Sequence, residues 1–255
     1  MTAETITGRH NPYLTHLRKL AASRAYREES GEFLCDGVKL LTEALRRGAP
    51  LRTIVLSDGI ECPELPEGVR VVRVSAELMR SVSPAETPQG ALFTVRFARE
   101  SLPERLDGTR YLVLDGVQDP GNVGTILRSA DAFDCDGVIL VNACADLYNP
   151  KTVRSTMGAI FRRKAWSCTT DELAAALRAS ELPLYGAALR GDTVSLEAAE
   201  LHRAAVAIGS EGRGLSGEVL ALCGQTLRIP MSERCESLNA AIAASIVLWE
   251  MYRGR

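Results

Sequence analysis

Three stretches of this 255-residue chain set hydrogen-bonding side chains among very small residues. In "DGVQDPGNVGTILRSADAF" (115–133), Asn122 follows a Pro-Gly turn, and Arg128 falls off the apolar stripe of Val123, Ile126, Leu127, Ala130 and Phe133. In "AIGSEGRGLS" (207–216), three glycines, Gly209 among them, surround Glu211 directly after an apolar run. In "RIPMSERCESLNAAIAAS" (228–245), Ser237 and Asn239 stand where a strand-like run gives way to alanine-rich sequence. These residue types suit the handling of a polar, phosphate-bearing ligand. A guanidinium grips phosphate, amides and hydroxyls orient a substrate, and glycines let the backbone approach closely. Each stretch also has a plainer explanation. Arg128 pairs with Asp131 at i+3; Asn122 and Ser237 cap helices, with Asn239 in the first turn of the second. The glycines then make a tight turn, and Glu211 complements the dipole of the helix that follows. The spacing is not GxGxxG, and no acid ends a following strand, so the dinucleotide fingerprint is excluded.

The elements that must carry these residues form a repeating pattern. Apolar runs at 111–117, 137–141, 184–189, 204–210 and 226–231 read as strands. Helical periodicity covers about 122–133, 150–161, 170–181, 216–223 and 237–253. Such alternation implies an α/β fold with a mostly parallel sheet covered on both faces. Ligands of such sheets bind beyond the carboxyl ends of the strands, which is where the three stretches fall. The alanines and Ser245 leave one side of the last helix slim, and Leu238, Ile242, Ile246, Trp249 and Tyr252 form its apolar ridge. The slim side is expected to pack closely on the sheet or on a second subunit. Upstream, helical patterns at 12–25 and 36–47 and strands "RTIVLS", "VRVVRVS" and "GALFTVRF" describe a smaller α/β unit. The polar stretch near 98–109 separates the two, giving domains 1–98 and 109–255.

Composition narrows the class. Apolar content of 46% and charged content of 24% describe a globular chain. The sequence contains no apolar run of membrane-spanning length, and "MTAETITGRHNPYLTH" lacks a signal-peptide core, so a cytoplasmic location is expected. Seven scattered cysteines with no CxxC, and three histidines without ligand spacing, point to buried free thiols and no metal. Net charge is −2, but basic residues cluster. Arg9, Arg18, Lys19, Arg24 and Arg27 face a single acid in 1–27; Lys151, Arg154, Arg162, Arg163 and Lys164 meet none in 147–170. Such clusters hold phosphates or are merely solvated faces.

In this order the three stretches resemble the signature motifs of the SpoU/TrmH family, the 2'-O-ribose RNA methyltransferases of the SPOUT superfamily. Motif 1 resembles "NVGTILRSADAF", motif 2 "IGSEGRGL" and motif 3 "IPMSERCESLNAAIA". "LYNPKTVRSTMGAIFR" is similar to the segment linking the first two. "YREESGEFLCDGVKLLTEAL" and "TPQGALFTV" resemble the family's N-terminal substrate-binding domain, a ribosomal-protein-like α/β module. The resemblance implies a C-terminal trefoil-knotted SPOUT domain, a homodimer, S-adenosylmethionine as methyl donor and structured RNA as acceptor, ribosomal rather than transfer RNA. It implies that Gly209, Ile229, Leu238 and Met231 hold the cofactor. Asn122, Arg128, Glu211, Ser237 and Asn239 match catalytic positions. Arg128 is then a phosphate grip or the base for the hydroxyl proton; arginine's persistent charge favours the grip. Glu211 is expected to hold Arg128 or the loop. Arg18, Lys19, Arg24, Arg27 and Arg154 are expected to contact RNA. One departure stands in the turn after motif 3's Ile-Pro-Met, where the family often has glycine and this chain has Ser232-Glu233-Arg234-Cys235; bulk and charge there narrow access or shift substrate choice. The competing expectation is a non-catalytic RNA-binding or ribosome-assembly factor that keeps the fold.

Overall fold

The structure, a computed structural model, describes residues 3–97, 100–191, 193–232, 234 and 237–253. Glu233 and Cys235 of the departing turn lie outside these. Two compact units divide the chain: Met1–Arg99 with Tyr148–Phe161, and Glu100–Leu147 with Arg162–Arg255.

The first unit contains β1 (Glu4–Ile6), α1 (Pro12–Ala22), α2 (Arg24–Ser30), β2 (Glu32–Asp36), α3 (Val38–Arg46), β3 (Leu51–Ser57), β4 (Arg70–Val74), α4 (Ala76–Val82) and β5 (Ala91–Arg96). Its sheet runs β1-β4-β3-β5-β2, parallel among the first three strands and antiparallel on either side of β5. Alternate residues of each strand face opposite sides. Val55, Val72 and Leu92 pack with Leu14, Leu17 and Leu20 of α1. Ile54, Leu56 and Phe93 pack with Leu40, Leu41 and Ala44 of α3. The expected helix 12–25 is two helices, because Ser23 is extended and its hydroxyl caps α2 through the Tyr26 amide. Residues 148–161 depart from the expected second domain. Tyr148 stacks on Phe97 with centroids 4.1 Å apart and meets Phe33 at 4.9 Å, and Val153 joins the same core. This aromatic burial ties the segment to the first unit.

The second unit contains β6 (Arg110–Asp115), α5 (Pro120–Ala132), β7 (Gly137–Val141), β8 (Ala165–Ser167), α7 (Thr170–Ala179), β9 (Leu184–Ala187), β10 (Val194–Ser195), β11 (Ala204–Gly209), α8 (Gly217–Leu222), β12 (Gln225–Arg228) and α9 (Ala240–Arg253); α6 (Pro150–Ser155) lies in the segment that joins the first unit. The sheet order is β10-β12-β9-β11-β6-β7-β8, and every pairing is parallel. Short β8 and β10 extend the five expected strands. One face of β6, β7 and β11 presents Tyr111, Val113, Ile139, Val141, Ala205 and Ala207 to Leu173 and Leu177 of α7 and Val219 of α8. The chain returns from outlying β12 to lay α9 against β11, β6 and α5, so the three expected loops meet at one end of the sheet.

The slim side of the last helix packs within the unit, against the sheet and α5, the first of its two expected placements. Ala240, Ala241 and Ala244 are buried within the unit, whereas Ile242 is 53% and Trp249 50% exposed. Small residues permit the close approach of α9 to α5, sealed by Ser129 Oγ and Ser245 Oγ 2.8 Å apart. Val247, Leu248 and Met251 are buried with the alanines, whereas Ile242 and Trp249 point outward, and Trp249 groups with Phe133 and Tyr252 at centroid distances of 5.7 and 6.2 Å.

Candidate active site

The site begins where three parallel strands end side by side. Gly209 pairs in register with Asp115, and Asp115 with Val141. From Gly209 the chain makes a tight turn in which Ser210 and Gly214 exchange backbone hydrogen bonds of 3.2 and 2.9 Å. A Cβ on Gly209 would lie 2.1 Å from the carbonyl carbon of Gly214 and 2.4 Å from the amide nitrogen of Leu215. Glycine is needed there for close approach of backbone to backbone.

Beside that turn opens a cavity of about 700 Å³, lined by Gly209, Ile229, Met231 and Leu238, with Glu211 and Ser237 on its wall. All four expected cofactor residues therefore meet at one place. The volume lies in the range of small-molecule sites, roughly 300–1,000 Å³. Leu196, Leu227 and Val247 supply further apolar wall, and Leu189, 79% exposed, stands at its edge. Apolar walls beside a glycine backbone suit an adenosyl group, flat and apolar with a polar edge, so the residues fit the implied cofactor.

A chain of hydrogen bonds joins the three motifs at this mouth. Asn122 Nδ2 donates to Glu211 Oε1, and Asn239 Nδ2 donates to Asn122 Oδ1 at 3.2 Å. The plainer capping explanations shift by a few residues. Asp119 caps α5, accepting the Asn122 amide at 2.9 Å; Asn122 is thereby in the first turn with its side chain turned to the site. Asn239, not Ser237, caps α9, accepting the amides of Ala241 at 2.9 Å and Ile242 at 3.3 Å. One side chain thus starts the helix and serves the site.

Arg128 stands outside this chain of bonds. It is exposed, and it forms neither the expected bond to Glu211 nor an ion pair with Asp131. It lies six positions beyond Asn122, about 120° around the helix and about 9 Å along it. Asp131 is taken by Arg162 Nε at 2.7 Å and Arg163 Nε at 2.8 Å, and Arg163 also holds Asp134 at 3.0 Å. Much of the 147–170 basic cluster is therefore spent on the fold.

The expected RNA-contacting residues divide. Arg27 is 3% exposed and donates to the carbonyls of Leu20 and Ala21, the unsatisfied end of α1; this burial removes it from the set. Arg18 is held by Ser81 and the Arg9 carbonyl. Lys19 lies over the Tyr26 ring at 5.2 Å, and Arg24 pairs with Glu28 at 2.8 Å; both are exposed. Arg154 is exposed on a cleft of the first unit that Asp36 and Lys39 also line.

Among the described residues the cysteines are free, but not all are buried: Cys62 is exposed. Burial pushes the Cys135 and Cys144 thiols up to about 11 and Cys168 to about 12. No cluster of metal-ligating side chains occurs among the described residues, and no described helix is long and apolar enough to cross a membrane.

Sequence reasoning passed over Asp115, Asn142 and Ser216, which lie behind the turn. The signal available was an acid ending the otherwise apolar run "YLVLD".

A parallel sheet with a glycine turn, an apolar cavity and converging amides at its strand ends defines an α/β domain built for a nucleoside-type cofactor. Residues 109–249 match the SpoU rRNA Methylase family, and residues 11–92 match the MRM3-like substrate binding domain. The chain belongs to the SpoU rRNA methylase family. It is 33% identical over 269 residues to the 23S rRNA (uridine(2479)-2'-O)-methyltransferase of Streptomyces viridochromogenes, covering 99% of this chain and 93% of that one. It is 32% identical over 230 residues to the 23S rRNA (guanosine(2553)-2'-O)-methyltransferase RlmP of Bacillus subtilis, covering 88% and 90%. Its fold matches the AdoMet-bound rRNA methyltransferase of Sinorhizobium meliloti with a TM-score of 0.87, at 28% identity and 98% coverage of both chains.

Proposed function

We propose a division of labour among these residues for the reaction the chain performs, transfer of a methyl group from S-adenosylmethionine to a ribose 2'-hydroxyl of ribosomal RNA. The observation that carries it is the bonded series Glu211–Asn122–Asn239 at the mouth of the apolar cavity. When bound, S-adenosylmethionine supplies a methyl group already activated by its sulfonium. Ile229, Met231 and Leu238 hold the adenosine, and Gly209 leaves room for backbone to reach it. Glu211 fixes the Asn122 amide, and Asn122, Asn239 and Ser237 orient the ribose so that its oxygen meets the methyl in line. Such alignment contributes up to ~7–11 kcal/mol. The two bacterial relatives are named for a uridine and a guanosine; this accords with a site that addresses the sugar common to both.

Arg128 grips the phosphate next to that sugar, and in this reading it does so in the site of a second copy. Arg128, Thr125 and Ala132 are exposed on α5, and α9, which packs on α5, exposes Ile242 and Trp249. Covering those two side chains in a homodimer removes apolar surface from water and brings one copy's Arg128 toward its partner. Lys19, Arg24 and Arg154 of the first unit steer RNA, and a cytoplasmic location accords with ribosomal substrate.

Transfer of labelled methyl to ribosomal RNA tests the reading. It is expected to be lost in Arg128→Ala and in Asn239→Ala, and regained in part when the two inactive variants are mixed, since one mixed site is intact. RNA binding without transfer by the unaltered protein would support the assembly-factor alternative. Two variants that stay inactive together, though they form mixed dimers, would rule out Arg128 acting across the interface.

A further inference from the structure

We infer that Asp115 is a positioning residue: its buried carboxylate clamps the far end of the glycine turn and thereby sets affinity for the methyl donor, an inference that rests on the cofactor reading above. Asp115 is 2% exposed at the end of β6, and it does not line the cavity. Both of its oxygens are engaged. Oδ2 accepts the Ser216 amide at 2.6 Å, and Oδ1 accepts Asn142 Nδ2 at 2.9 Å. Asn142 Nδ2 also donates to Ser216 Oγ at 3.1 Å, and that hydroxyl caps α8 by accepting the Val219 amide at 3.3 Å. Asn142 has φ 54°, the left-handed region that asparagine and aspartate tolerate best among residues with a side chain.

The turn therefore leaves the sheet at Gly209, beside Asp115, and is brought back at Ser216 onto the same carboxylate. Gly209, Ser210, Glu211 and Gly214, which line the cavity, lie between these two anchors. Burying a carboxylate is costly unless hydrogen bonds satisfy it, and an apolar residue would serve β6 better as a strand. The geometry assigns the acid to holding the turn. The cofactor wall and Glu211 depend on where that turn sits.

An exchange of polarity tests this. Asp115→Asn aims an amide donor at a donor, either the Ser216 amide or Asn142 Nδ2. Asn142→Asp sets two carboxylates at a 2.9 Å contact. In the double variant the new amide at 115 accepts from Ser216 and donates to the new carboxylate at 142, so the complementarity returns. Calorimetry with S-adenosylmethionine, steady-state kinetics and hydrogen exchange of the Ser216 amide without cofactor are the readouts. Each single change is expected to weaken cofactor binding about 10- to 100-fold, to raise the cofactor KM with little change in kcat at saturation, and to speed Ser216 exchange. The double variant is expected to recover to within about 3-fold. Wild-type affinity in Asp115→Asn, or a double variant no better than the singles, overturns the inference. If Asp115→Asn does not fold, Asn142→Asp, at an exposed position, decides by the same measures. If the unaltered protein binds no S-adenosylmethionine, the cofactor reading falls, while Ser216 exchange in the same variants still decides whether Asp115 holds the turn.

Discussion

Gly209→Ala is the sharpest perturbation of the cofactor wall. The backbone there is compatible with any L-residue, so the argument is steric alone. The added methyl would sit 2.1 Å from the Gly214 carbonyl carbon, 2.2 Å from its oxygen and 2.4 Å from the Leu215 nitrogen. Ordinary carbon contacts are about 3.5–4.0 Å, so the turn must retreat by more than 1 Å. Its neighbours are backbone, and no side-chain rotation relieves the clash. Overpacking of this kind costs about 1–3 kcal/mol, and the upper end is expected. For a chain of this size each kcal/mol lowers Tm by about 2–4 °C, giving a fall of about 6–12 °C. A 1 Å displacement of positioning groups costs about 100-fold in rate, and a comparable loss in cofactor affinity is expected. Calorimetry with S-adenosylmethionine and a thermal melt measure both. Gly212→Ala is the control, because a Cβ there meets nothing within 4 Å; it should stay within about 3-fold of wild type. Unchanged affinity and Tm in Gly209→Ala would refute the reasoning, and equal damage from Gly212→Ala would show that the turn needs flexibility rather than close approach.

Asn239→Asp keeps the helix cap but removes the donor to Asn122, so methyl transfer should collapse while Tm holds; Asn239→Ala should in addition lose about 1 kcal/mol of stability. Arg27→Ala should lower Tm and leave RNA affinity below the melt unchanged, whereas removing Lys19, Arg24 and Arg154 together should flatten the dependence of log K on log salt by about one unit for each phosphate no longer neutralised. Acid should destabilise the first unit through Glu32. Burial pushes its carboxyl up, but the hydrogen bond from His16 and the charge of Arg52, 2.9 Å away, outweigh burial and leave it below the ordinary range. A depressed carboxyl contributes stability above its unfolded pKa, which is lost as pH falls through the folded one; Glu32→Gln should therefore flatten the dependence of Tm on pH through and below the ordinary carboxylate range, and an unchanged pH profile would contradict the assignment. Mild alkylation near neutral pH should modify exposed Cys62 well before Cys135, Cys144 or Cys168, whose thiols stay protonated there.

The central strands were legible because burial on both faces makes them continuous apolar runs, as in "YLVL" and "GVILV". Short edge pieces such as β8 and β10 bury too little to leave that signal, and β2, "EFLCD", directly follows a helix that nothing but Gly31 ends. The site motifs were legible as a set, but the role of each residue depended on one-residue details. Pro120 at the start of α5 marks Asp119 as its cap, a signal that assigns Asn122 to the site instead. No comparable signal separates Ser237 from Asn239. Whether the slim side of α9 meets the sheet or a second subunit is open in the sequence, because alanines and large apolar residues alternate around the helix; the choice is set by how closely α5 approaches, a tertiary fact. The same holds for Arg27, whose charge reads as surface until its carbonyl partners are seen.

The ribose oxygen receives the methyl group. Ribosomal RNA lacking its modification, methylated by this protein with labelled S-adenosylmethionine, can be hydrolysed in alkali, where cleavage requires a free 2'-hydroxyl as internal nucleophile. Label recovered in alkali-resistant dinucleotides is the predicted result; label released in mononucleotides would place the methyl on a base and contradict the account.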